Sequence, residues 1–77
     1  MVELTPEANR AARALLRWSI RDLAHEVGIA FSTVHRFEKT GDCSNATASK
    51  IVEAFLDHGV LVISDEDATG AKIFYGD

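Results

Sequence analysis

Ser32, His35 and Arg36 stand three and four residues apart in one short stretch. That spacing sets them on one face of a helix. Arg36 carries a planar fork of donors suited to a pair of acceptors, Ser32 donates or accepts, and His35 donates from either ring nitrogen. Phe31 adds an apolar contact at the start of the same face. Ser19, Arg21 and Lys39 flank the group with donors that suit anionic oxygens, all the more so where a helix begins. This is recognition chemistry rather than bond-making chemistry.

Catalytic and metal-binding patterns are not found. His25, His35, His58 and Cys43 are the candidate metal ligands, and none has the spacing of a metal finger. His25-Glu26 is not followed by the second histidine of a zincin motif. The five glycines are dispersed, so they make no phosphate loop. Asp65-Glu66-Asp67 lacks the twelve-residue calcium loop and its terminal Glu. It reads as a solvated turn that discourages edge-to-edge sheet addition. The expectation is a non-enzyme with no metal and no cofactor.

Seventy-seven residues, 47% of them hydrophobic, suffice for one domain with a thin core. A single cysteine, Cys43, forms no internal disulfide and suits a reducing compartment. No run of 18 apolar residues and no signal-peptide core is present, so the expectation is a cytoplasmic protein outside the membrane. The net charge of −4 is unevenly placed. Residues 1–39 hold six cations against five acids, whereas residues 40–77 hold two against seven. Attraction to phosphate should therefore be modest and confined to the first half.

The elements that must position these side chains follow from local signals. Thr5-Pro6-Glu7 starts a helix with a hydroxyl cap, proline in the first turn and an early acid. Ala8, Ala11, Ala12 and Leu15 then recur at helical spacing, predicting helix 1 over residues 6–16. Trp18 is expected to fold back on the core. Ser19 and Asp22 form a near-capping box that starts helix 2, which runs to about Val27. Gly28 supplies the stop, where the backbone needs φ > 0. Helix 3 is expected over about 31–39. Ser44 or Asn45 caps helix 4, whose apolar positions are Ala48, Ile51, Val52 and Phe55, and which stops at Gly59. Val60-Leu61-Val62-Ile63 then reads as a strand, residues 65–70 as an acidic turn, and Lys72-Ile73-Phe74-Tyr75 as a returning strand. Leu15, Leu23, Val34, Ile51, Val52 and Phe55 are the expected core.

Two short helices joined at a glycine, with Ala24 small enough for close approach and Leu23, Val27, Ile29, Val34 and Phe37 as apolar wedges, form a helix-turn-helix pattern. Ala24, Gly28, Val34 and Phe37, with Leu23, Ile29 and Ser32-Thr33, resemble the Cro/repressor (Xre-like) helix-turn-helix family of small bacterial and phage regulators. The resemblance covers residues 8–58. It implies a mainly α, lambda-repressor-like domain of about four helices over residues 1–59, with a C-terminal β-hairpin over 60–77. It also implies that Glu38 pairs with Arg13 of helix 1. Three positions depart from the family: Ile20 where relatives often carry Gln, Ala30 where they carry Ser or Thr, and Phe31 where they carry a polar residue.

The implied function is sequence-specific binding of double-stranded DNA by a transcriptional regulator, with helix 3 in the major groove. Arg36 would take guanine O6 and N7, a contact worth roughly 1–3 kcal/mol of discrimination. Ser32 and His35 would contact bases or phosphate, and Phe31 a thymine methyl. Ser19, Arg21 and Lys39 would hold phosphates. A homodimer is expected through the hairpin, with Val60, Val62, Ile73 and Tyr75 as contact surface. The acidic second half and Phe31 leave an alternative on the same fold, a protein-interaction module such as an antitoxin or phage-derived adaptor.

Overall fold

A computed structural model describes residues 4–64 and 67–74. The chain is mainly α. Four helices, α1 (Pro6–Leu16), α2 (Ile20–Val27), α3 (Phe31–Thr40) and α4 (Asn45–Asp57), precede an antiparallel hairpin of β1 (Val60–Ser64) and β2 (Thr69–Ile73).

The helix starts are fixed by local chemistry. Thr5 Oγ1 accepts from the Ala8 amide at 3.0 Å, with Pro6 at the first helical position. Ser19 and Asp22 form a complete capping box: the Asp22 amide donates to Ser19 Oγ at 3.0 Å and the Ser19 amide to Asp22 Oδ2 at 2.9 Å. Ser44, not Asn45, caps α4, its Oγ accepting from the Thr47 amide at 3.1 Å. Gly28 ends α2 at φ 81°, in the left-handed region, and its amide and that of Ile29 both reach the Ala24 carbonyl. This tight reversal sets α3 against α2 after only three residues.

The core joins the four helices and β1, with Ala71 of β2 packed against it partly buried. Leu4, Ala8, Ala12, Leu23, Ala24, Val34, Phe37, Ile51, Phe55, Val60 and Val62 are buried together. Each large member contributes about 1.5–3 kcal/mol by leaving water. Trp18 folds back as expected, stacking on Phe55 at 6.0 Å between ring centroids, with His58 edge-on at 4.8 Å. His58 Nε2 and Glu26 Oε1, 2.9 Å apart, link the end of α4 to α2.

The structure corrects several expectations. Leu15 is 39% exposed and lies outside the core. The buried side of α1 is Ala8, Asn9 and Ala12, with Leu16 packed beside them. A helix rich in alanine has no size contrast to fix its rotation, and a buried polar residue fixes it instead. Val52 packs against the core only partly buried. The second strand begins at Thr69, three residues before Lys72, because Gly70 and Ala71 pair with Ile63 and Val62. The first strand runs on to Ser64, and α3 extends one residue past Lys39 to Thr40.

A further correction concerns the hairpin. Val60 and Val62 are buried in the chain's own core and offer no surface for a second copy. Alternation along the strand puts Leu61 and Ile63 on the opposite face, both half-buried. Ile73 remains exposed, while Tyr75 lies outside the described residues, as do Asp65 and Glu66 of the acidic turn. Thr5 and Thr69 join their hydroxyls, tying the start of α1 to the start of β2.

Candidate nucleic-acid interface

The helical period divides α3 into two faces. Val34, Phe37 and Glu38 are buried, whereas Phe31, Ser32, His35, Arg36 and Lys39 are exposed. The side chains of Ser32, Arg36 and Lys39 make no hydrogen bond or ion pair among the described residues, so their donors face solvent. Phe31 and His35 form one row, and Ser32 and Arg36 form the adjoining row.

Glu38 fixes the carboxyl-terminal half of this helix. It is only 7% exposed. Arg13 grips it with two parallel bonds, Nε to Oε2 at 2.6 Å and Nη2 to Oε1 at 2.8 Å, the strongest geometry for such a pair. Asn9 Nδ2 also donates to Oε2. Arg10 Nη2 donates to the Glu38 carbonyl at 2.8 Å, and Arg13 Nη1 to the Trp18 carbonyl at 3.0 Å. The side chain of Arg13 is 18% exposed, so the pair is shielded from water on most sides. Charges placed in this way hold orientation more than they add net stability. Asn9 Oδ1 is buried with no partner among the described residues, a cost the network carries.

The amino-terminal end of α3 is built differently. Ala30 occupies the cap position in extended conformation and offers no side-chain oxygen. Phe31 is 41% exposed. The guanidinium carbon of Arg21 lies 4.8 Å from the centre of its ring, and the His35 ring is stacked at 5.9 Å with planes 17° apart. Arg21, from the first turn of α2, is thus brought to α3 by a cation–π contact. Its donors make no hydrogen bond or ion pair among the described residues and stay available to an anion.

Ser19 is exposed, with its amide and a hydroxyl lone pair engaged in the capping box. The Ser19 amide, and after it the hydroxyl, hold the Asp22 carboxyl below the usual carboxylate range. Asp22 therefore stays charged on this surface and offsets part of the field of Arg21. Lys39 and His35 border a shallow depression of about 270 Å³ with Ile20 and Glu38. Burial, assisted by Asp42, pushes the Cys43 thiol up. No group of acidic, histidine or cysteine side chains fit to hold a metal occurs among the described residues.

The structure therefore brings Arg21, Phe31 and His35 into one stack and leaves Ser32, Arg36 and Lys39 beside it, with Ser19 at the edge. It also contributes Asn9 and Arg10, which sequence reasoning left out. Asn9 stands one helical turn before Arg13, and that four-residue spacing was the available signal. No model of a known protein family matches the chain, and no characterised protein matches its sequence. No helix among the described residues is long and apolar enough to cross a membrane.

Proposed function

We propose that the chain is a sequence-specific DNA-binding transcriptional regulator of the Cro/repressor helix-turn-helix kind, placing α3 in the major groove. The observation that carries this reading is the two-sided character of α3. One side is clamped by Val34, Phe37 and the Glu38 network, and the other presents Ser32, His35, Arg36 and Lys39 with their donors unengaged. Arg36 reads guanine, Ser32 and His35 contact bases or adjacent phosphates, and Arg21, Lys39 and Ser19 hold the backbone. The protein acts in the cytoplasm as a homodimer, because one such helix reads only a few base pairs. Exposed Ile73 and Phe74 on the hairpin supply the apolar surface for that contact.

Affinity for mixed-sequence duplex DNA measured against salt concentration tests the reading. Arg21 and Lys39 in each protomer of a dimer give a slope of log K against log salt of about −3.6. Ile73→Asp with Phe74→Asp should leave the fold intact and shift the sedimenting species to monomer. A second reading, a protein-interaction module, is favoured by exposed Phe31 at the leading end of α3. Absence of DNA binding at low salt selects that second reading.

A further inference from the structure

The end of α3 that would meet the bases first has no hydrogen-bonding side chain at Ala30 or Phe31. Phe31 is nonetheless held in place. Arg21 lies over its ring, and His35, one turn along, stacks against it. A ring fixed in this way loses little further freedom on binding. It remains 41% exposed, so apolar surface is presented outward on a rigid support.

Among the unmodified bases only thymine has an apolar group, its C5-methyl, on the major-groove edge. The other edges offer donors or acceptors, which a phenyl ring would strip of water without replacing the lost bonds. Ala30, exposed beside Phe31, has a methyl side chain suited to the same contact. We propose that the amino-terminal end of α3 recognises the C5-methyl group of a pyrimidine. Phe31 is the specificity-determining residue, and Arg21 and His35 are positioning residues. The inference rests on the DNA-binding reading of α3. Because Arg36 stands on the adjoining row, the recognised methyl lies close to the guanine that Arg36 reads. The donors of Arg21, stacked on the ring, face the phosphate of the same neighbourhood. Thymine and 5-methylcytosine carry the same methyl group, so both should satisfy Phe31.

Duplexes bound by the wild-type protein are selected from a random pool. One of them is then resynthesised with each thymine replaced in turn by deoxyuridine, which removes only the methyl. One position per half-site should weaken binding about fourfold, the worth of one buried methyl group. Phe31→Ala should bind the thymine and uracil duplexes equally, Phe31→Leu should retain most of the discrimination, and Arg21→Ala should narrow it. Circular dichroism of each variant should match wild type, since Phe31 and Arg21 lie at the surface. At the sensitive position, cytosine should bind as uracil does, and 5-methylcytosine should regain affinity. If wild-type protein binds the selected duplex and is indifferent to every deoxyuridine substitution, the methyl-reading role is overturned and DNA binding stands. If no duplex is recovered and none binds at low salt, the DNA reading fails, and this inference with it.

Discussion

The two ends of α3 are held by opposite means. At the carboxyl-terminal end, Glu38 accepts from Arg13 and Asn9, its carbonyl accepts from Arg10, and Gly41 closes the helix in the left-handed region. At the amino-terminal end no side chain caps the first turn, and exposed Phe31 is steadied by Arg21 and His35. The first end is held by buried polar groups, while the second is apolar and open. A recognition element needs both, because an open surface discriminates only if its scaffold does not move. The stability of α3 and its proposed selectivity thus reside in different residues and can be altered separately.

The largest effect should come from the buried end. Glu38→Ala leaves the Arg13 guanidinium and the Asn9 amide without their acceptor, which should cost about 3 kcal/mol. The check is a urea melt followed by Trp18 fluorescence, together with a fall in DNA affinity on every sequence. A loss below about 1 kcal/mol would show that the network is a surface pair of ordinary weight.

Ala30→Ser should act at the open end and in the opposite direction. The backbone there is already extended, as a cap requires, so a hydroxyl can reach the Ser32 amide or take over the Thr33 amide, which now turns to the Ala30 carbonyl at 3.1 Å. A gain of about 1 kcal/mol is expected in the same melt. No gain would mean that the bond from the Thr33 amide to the Ala30 carbonyl already does the work of a cap, which would weaken the contrast between the two ends.

Phe31→Ala should change stability by less than about 0.5 kcal/mol, since the side chain is exposed. A larger loss would make Phe31 part of the fold rather than of the contact surface. The smallest expected effect is on the helix that carries Arg21. Asp22 has its carboxyl held below the ordinary range by Ser19, so its contribution is present above that range and is lost as pH falls through the folded value. Acid titration below about pH 4 should fray the start of α2, as seen by amide shifts of residues 19–22. Asp22→Asn should remove that dependence.

Much of this organisation is legible in the sequence, and the reasons differ by residue. Caps at Thr5, Ser19 and Ser44 and the turn at Gly28 are local chemistry, visible within four residues. The outer rows of α3 follow from the 3.6-residue period alone. The rotation of α1 does not follow from local signals. Ala8, Ala11, Ala12 and Leu15 describe one stripe and Ala8, Ala12 and Leu16 another, and the choice rests on Asn9 meeting Glu38 across 29 residues. The start of β2 was hidden because Thr69-Gly70 has the composition of a turn, and only pairing with Ile63 and Ser64 makes it a strand. The burial of Val60 and Val62 depends on how the hairpin lies on α1 and α4. At the site, Ser32, His35 and Arg36 are read from spacing, whereas the Arg21–Phe31 contact depends on how α2 crosses α3.

If the outer face of α3 meets DNA as proposed, titrating the labelled protein with a selected duplex should move the amide and side-chain shifts of Phe31, Ser32, His35, Arg36 and Lys39, with smaller changes at Ser19 and Arg21 and little at the core positions of β1. Changes confined to the hairpin around Ile73 and Phe74, with α3 unaffected, would place the contact elsewhere.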